Sequence, residues 1–305
     1  MEIRQAYDND VSNIVDLLKL SLGEGLMPKS EAFWYWKHIN NPFGKSPVLL
    51  AFDHGKLVGV RAFMRWEWRQ GEKVFKAARA VDTATHPDFQ GTGIFKKLTL
   101  QLVNQAREEG FDFIFNTPNK SSKPGYLKMG WSEHGRMPIR IRPILAFGKK
   151  ELDIESKYPI DSSSITAWLS QSEPRIDNQT LVTNVSSSFF SWRYVENPNI
   201  KYYSFSDVKC TYMVVFRLKH GRFGLEFRIC DFLQTCAFDR RSFGVQLLSI
   251  AKELGATFVT WSGSLIHLSS LNLNMGPVIT IHPLSSNNSL SFDFWRPTLG
   301  DMEVF

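Results

Sequence analysis

The feature that most constrains this chain is a repetition at half its length. "WKHINNP" at 36–42 and "WRYVENP" at 192–198 share the pattern W-[K/R]-x-x-x-N-P, and 192 − 36 = 156 residues separate them in a chain of 305. The segments after each copy recur in the same order. Strands close on a polar glycine turn, "RQGEK" or "KHGRFG", and an aspartate comes next: Asp82 lies 11 residues after Gly71, Asp231 lies 10 after Gly221. An amphipathic helix then leads to an apolar strand, "FDFIFN" or "TFVTWS". A match over seven residues arises by chance alone; the matched order of elements points to duplication. Two domains are therefore expected, 1–147 and 148–305, joined by the charged, proline-containing stretch 148–162.

Periodicity fills in the first half. Residues 3–6 read as a strand and 8–22 as a helix, with Asp8 or Asp10 as its cap and Val11, Ile14, Val15 and Leu18 on one face. A second helix ends near Ile39. Three strands divided by "DHG" and "RQGEK" form an antiparallel meander. A helix with Phe95, Leu98, Leu102, Val103 and Ala106 on one side then crosses over to a parallel strand. The order β-α-α-β-β-β-α-β-α-β makes an α/β (α+β) fold with a mixed sheet, not a doubly wound one.

The crossover begins at "THPDFQGTGIFKKL", residues 85–98. A glycine-rich loop running into a helix N-terminus offers converging N–H donors and positive potential to a phosphate. The stretch lacks the lysine and hydroxyl of a Walker loop and the third glycine of a dinucleotide fingerprint, so by its glycines alone it reads as a turn. Its surroundings say more. Q-x-x-G-x-[G/A] after a strand and an x-P turn, with "YLKMGW" at 126–131 downstream, resembles the GNAT superfamily of acyl-CoA-dependent N-acyltransferases.

That resemblance implies a GNAT fold in which the fourth strand splays from the fifth, pantetheine lies in the gap, and the loop holds the CoA pyrophosphate. Acetyl-CoA is then the cosubstrate and no metal is needed. The cofactor residues it implies are Thr83, Thr85, Gln90, Gly91, Thr92, Gly93, Ile94, Phe95, Asn119 and Tyr126. Phe95 stands where the family has Gly or Ala, so its ring is expected to point away from the cofactor. Where the loop would recur in the second half the chain reads "TCAFDRRSFG". Residues 148–305 are thus expected to be a degenerate GNAT-like domain without a pyrophosphate loop, and the chain is more weakly similar to tandem-GNAT aminoglycoside acetyltransferases.

Acyl transfer from a thioester to an amine requires a deprotonated amine, an oxyanion stabiliser and a proton for the leaving thiolate. An alkyl amine resembles lysine, pKa about 10.4, so a base must take its proton, whereas the thiolate, with a thiol pKa of about 8.5, can be protonated by a tyrosine hydroxyl. By resemblance Tyr126 is that acid. The backbone N–H of Thr85 or His86 is expected to face the oxyanion. Three groups compete as base: Asp82 on the strand leading to the loop, His86 before Pro87, and the terminal carboxylate of Phe305, which in the tandem enzymes enters the active site. Glu24 is expected to attract a cationic amine and Trp34 to stack on a sugar ring or aliphatic chain, making an amino sugar one acceptor.

Charge and composition exclude other classes. The net charge is +6, but Lys and Arg are interspersed with acidic residues and form no basic block, so no nucleic-acid partner is expected; a phosphorylated cofactor suits the excess. No signal-peptide pattern and no apolar run near the ~20 residues of a membrane span is present, so a cytoplasmic protein without a membrane partner is expected. Cys210, Cys230 and Cys236 have neither disulfide nor zinc spacing. The expected partner is a small-molecule amine acceptor, with a homo-oligomer left open. On residues alone a non-catalytic acyl-CoA-binding scaffold remains, as does a same-fold transferase using a longer acyl-CoA or an aminoacyl-tRNA.

Overall fold

The computed structural model describes residues 1–25, 27–145, 153–171, 178–263, 270–273, 276–285 and 292–302. Its first half runs β1 (Glu2–Gln5), α1 (Val11–Leu22), α2 (Glu31–Trp34), β2 (Val48–Asp53), β3 (Lys56–Gln70), β4 (Lys73–Thr85), α3 (Ile94–Glu108), β5 (Phe113–Asn116), α4 (Lys123–Lys128) and β6 (Ser132–Arg136), the expected order. The helical stripes decide which face each helix covers. Val11, Ile14, Val15 and Leu18 seat α1 on one face of β2, β3 and β4, while Ile94, Leu98, Leu102, Val103 and Ala106 seat α3 on the other. Asp10 fixes the entry to α1: its carboxylate accepts both Arg4 guanidinium nitrogens at 2.7 Å and the Tyr7 N–H at 2.8 Å.

The second half continues with β7 (Ile139–Pro143), α5 (Ile154–Lys157), α6 (Ser162–Gln171), β8 (Val182–Thr183), α7 (Ser187–Phe190), β9 (Tyr203–Ser206), β10 (Tyr212–Gly221), β11 (Gly224–Gln234), α8 (Arg240–Glu253), β12 (Phe258–Ser262), β13 (Leu271–Leu273), β14 (Val278–Pro283) and α9 (Leu299–Met302). One sheet has the order β1-β2-β3-β4-β5-β14-β6, with β8 on the far end of β3; the other is β13-β7-β12-β11-β10-β9. Each half lends a strand to the other. β14 lies antiparallel between β5 and β6, and β7 antiparallel between β12 and β13. The sheets therefore do not divide at 147/148 as the sequence suggested. Only Met137 and Pro138 separate β6 from β7. A two-residue hairpin needs a turn with positive φ, which proline's ring forbids, so the chain runs on into the second sheet.

At the centre the two copies of the repeated motif meet. Ser30 and Ser186, again 156 apart, cap α2 and α7 by accepting from the N–H of Phe33 and Phe189, both at 3.1 Å. Each helix widens into a π turn, Tyr35–Ile39 and Ser191–Val195. Asn41 and Asn197 end the turns by accepting from the N–H of Phe43 at 2.9 Å and Asn199 at 3.0 Å. The indoles of Trp36 and Trp192 stack with centroids 4.8 Å apart, and each Nε1 donates to the other's carbonyl at 2.6 Å. Burying one such ring removes on the order of 200 Å² from water, roughly 5 kcal/mol of transfer free energy. The motif's tryptophans thus join the two halves.

Candidate active site

The site forms where β4 loses its neighbour. β4 pairs with β5 only at Ala77–Phe113, Ala78–Ile114 and Arg79–Phe115, yet stays on β3 as far as Thr85 opposite Gly59. Among the described residues, 80–85 of β4 therefore have no strand partner on this edge, the splay that the resemblance implied. The β3–β4 register also slips here. Arg61 faces Thr83 and Ala62 faces Val81, so Asp82 is the extra residue of a bulge, with φ 41°. The left-handed conformation costs a side chain such as aspartate about 1–3 kcal/mol and persists only where its surroundings hold it.

On the α1/α2 face, three side chains provide that hold. Lys37 Nζ is 2.6 Å and His38 Nε2 2.7 Å from the same oxygen, Asp82 Oδ2; His38 Nδ1 meets Ser46 Oγ at 2.9 Å. The π turn lets consecutive residues both reach Asp82, a geometry often found at functional sites. Burial would raise the Asp82 carboxyl, but the Lys37 charge and the His38 hydrogen bond outweigh it and keep it well below the usual carboxylate range. Burial lowers the Lys37 ammonium, with Asp82 opposing, and lowers His38 in the same way. Asp82 Oδ1 takes no hydrogen bond from the described residues, and Asp82 borders a narrow crevice lined by Val15, Leu18, Lys29, Ser30, Phe33, Trp34 and Lys37. A depression of about 850 Å³ between α8 and β9 shares no residue with this cluster.

The opposite face carries Tyr126. Its buried ring stands edge-on to Phe95, 5.5 Å between centroids, and to Trp131 at 5.2 Å; its hydroxyl accepts from Arg61 Nη2 at 2.8 Å. The Phe95 ring thus turns away from the loop, toward α4, where Gly125 leaves it room: a Cβ there would come within 3.1 Å of Phe95 Cε1. In the loop, Gly91 and Gly93 take φ of 79° and 85°, and no side chain caps α3 at Gly93. Among the described residues no side chain takes the first-turn N–H groups of α3 at its cap, and open space lies beside both glycines. Thr92 Oγ1 donates to Phe89 O at 2.6 Å and braces the loop, while Gln90 is exposed beside it. These features fit a pyrophosphate at the loop and an extended thiol arm along the open edge.

Other expected residues have different surroundings. His86 N–H is taken by Val58 O at 2.9 Å, so strand alternation turns the Thr85 N–H, not that of His86, to the open edge. The His86 ring accepts from Asp88 N–H at 3.3 Å and shapes the turn. Asn119 Oδ1 accepts from Ser121 and Ser122 N–H at 3.0 and 2.8 Å, so it builds the turn into α4. Ile94 is buried and packs against Gly59. Trp34 is only 4% exposed, its ring lies 4.1 Å from that of His38, and it packs in the core under α1 while lining the crevice beside Asp82. Glu24 is exposed, its Oε1 3.3 Å from Lys29 N. Phe305 lies outside the described residues. Lys37, His38, Ser46 and Arg61 were not anticipated; the signal for Lys37, His38 and Arg61 was charge inside buried patterns, "WKHI" and "LVGVRAFM", and Ser46 had none.

Residues 2–133 match the family described as Acetyltransferase (GNAT) domain. No curated protein sequence matches the chain. Among solved structures the fold is similar to a GCN5-related N-acetyltransferase from Anabaena variabilis, with TM-score 0.64 and 13% identity over 93% of this chain and 73% of that one. A probable N-acyltransferase from Enterococcus faecalis gives TM-score 0.65 and 10% identity over 93% and 72%, and Eis1 from Mycobacterium abscessus 0.58 and 11% over 93% and 74%. Residues 2–133 are thus a GNAT acetyltransferase domain, and the chemistry of that domain is N-acyl transfer.

Proposed function

We propose that the protein is a cytoplasmic acyl-CoA-dependent N-acyltransferase that moves acetyl from acetyl-CoA to a primary amine of a small molecule. One observation carries the reading: the open edge of β4 has an ionised carboxylate on one face, a buried tyrosine hydroxyl on the other, and an uncapped glycine loop at its end. When bound, acetyl-CoA supplies an activated acyl thioester. The loop N–H groups of Gly91 to Phe95 would hold its pyrophosphate and residues 80–85 its pantetheine arm.

The chain's own groups then divide the work. Asp82 Oδ1 attracts and orients an ammonium, and the amine's proton leaves from that side. A carboxylate held so low is a weak proton acceptor, so its main contribution is to position the amine and a water that carries the proton away. Thr85 N–H faces the carbonyl oxygen, and the Tyr126 hydroxyl gives a proton to the leaving sulfur. Trp34 lines the same crevice but is only 4% exposed, so it offers an edge more than a face to a sugar ring, and Asp82 selects for positive charge.

We read residues 148–305 as a degenerate copy. At the start of α8, Asp239 accepts the N–H of Arg241 at 2.9 Å and puts a carboxylate where the first half leaves an anion site. Beside β11 the chain fills its own crevice: Arg193 donates to Gly300 O at 2.8 Å, and a Cβ on Gly300 would meet Tyr194 Oη at 2.0 Å.

The test is acetylation of a panel of primary amines, monitored by CoA release, with thermal shifts measured in parallel. Acetyl-CoA is expected to stabilise the protein by mass action. Tyr126→Phe is expected to slow turnover about 100-fold with little change in acetyl-CoA affinity. Binding without turnover of any amine would leave a scaffold, and no stabilisation by any CoA would sink the reading.

A further inference from the structure

β3 carries one charge into the aromatic layer beneath α3 and α4. Arg61 is fully buried, its guanidinium carbon 4.9, 5.7 and 5.3 Å from the ring centroids of Phe63, Phe95 and Tyr126. Nη2 donates to Tyr126 Oη at 2.8 Å, Nη1 donates to Thr83 Oγ1, and Nε has no partner. Among the described residues no carboxylate comes within ion-pair distance of it, whereas Arg4 pairs with Asp10, Arg65 with Glu109 and Arg228 with Glu226. Arg79, also buried, donates to the carbonyls of Asp301 and Met302 at 2.7 and 2.8 Å. Beyond the three rings, Arg61 has only hydroxyls as hydrogen-bond partners among the described residues.

Burying a cation costs several kcal/mol after relaxation, and two neutral hydroxyls return little of it. The two hydroxyls bracket the open edge of β4: Thr83 is on the strand and Tyr126 on the helix across from it. A positive charge is therefore stored where acyl transfer makes a negative one.

We propose that Arg61 is a positioning residue for Tyr126 and the electrostatic partner of the leaving sulfur, an inference that rests on the acyl-CoA reading above. Because Arg61 donates to Tyr126 Oη, the phenol's own proton is turned away from the guanidinium and toward the edge. As the acyl carbon–sulfur bond breaks, the electron pair stays on sulfur, while the amine nitrogen bonds to the carbonyl carbon and releases its extra proton on the Asp82 side. Tyr126 gives its proton to sulfur and regains one from solvent. The guanidinium faces this charge throughout and does not have to move, which is what preorganised stabilisation requires.

The experiment compares binding of CoA, which has the thiol, with desulfo-CoA, which lacks it, to the whole protein between about pH 6.5 and about pH 9. A site that favours thiolate binds CoA better as pH rises; for a bound thiol titrating one pH unit below its free value, the CoA to desulfo-CoA affinity ratio rises about tenfold. Arg61→Met is expected to abolish that rise and leave desulfo-CoA affinity within about threefold, and Arg61→Lys to retain most of it because the charge remains. A ratio that stays flat with pH in the unmodified protein overturns the proposal, whether or not the variants fold. A rise that survives in Arg61→Met overturns it as well. If neither compound binds, the acyl-CoA reading itself fails.

Discussion

A non-glycine residue at positive φ has to be held there, and Asp82 is held by the Lys37 ammonium and the His38 imidazole on one carboxylate oxygen. The arrangement makes stability depend on acid in a defined direction. His38 has its folded value lowered by burial, so its contribution is complete above the unfolded value of about 6.5 and is lost as pH falls through the window below it. Asp82, held low by Lys37 and His38 against its burial, loses its contribution only below about pH 4. The melting temperature is expected to fall between about pH 7 and about pH 5, and His38→Gln to flatten that slope, because the variant has nothing to protonate there. Equal slopes in the two proteins would show that the neutral His38 does not carry the effect. Asp82 was a candidate from its place on the strand leading to the loop, since a strand aspartate at a loop entrance stands out. Lys37 and His38 were not: they sit inside a motif whose tryptophan and Asn-Pro are structural, and spacing does not reveal a π turn that brings neighbours to one oxygen.

At the scale of elements, the α3 entrance is the part that sequence conveys best. Positive φ at Gly91 and Gly93 is what glycine permits without strain, so the residues themselves announce the turn. The Phe95 departure from the family pattern proved compatible with the loop, because its side chain and its N–H point different ways: the ring packs on Tyr126. Gly93→Ala separates these roles. A Cβ meets open space, so the folded protein is expected to lose only about 1 kcal/mol from the unfavourable φ. The displaced N–H groups are expected to cost acetyl-CoA about tenfold in affinity, read by calorimetric titration. Undiminished affinity would place the pyrophosphate elsewhere. The splay itself was implied only by resemblance, since a strand's sequence does not say where its neighbour stops pairing.

For the whole molecule, order along the chain and order in space part company. "IRIRP" and "VITIHP" both form strands, but pairing partners depend on which edges are available, and each of these segments crosses to the other half's sheet. The exchange makes the halves mutually dependent. Without β14, β5 keeps only β4 as a neighbour, Thr280 no longer donates to Asn116, and the apolar groups of Ile279 and Ile281 leave a cluster that also holds Trp66, Trp192 and Trp295. Residues 1–147 alone would also carry β7 as an unpaired strand, a template for aggregation. Trp36 would lose both the ring and the carbonyl of Trp192. The two fragments 1–147 and 148–305, made separately, are expected to be insoluble or to lack a cooperative melt, and made together to yield one soluble complex with a single transition. Size-exclusion chromatography and calorimetry read both outcomes. A 1–147 fragment that is monomeric, melts cooperatively and binds acetyl-CoA would mean that the borrowed strand is dispensable, and that the interlock serves the acceptor side of the site, not the fold.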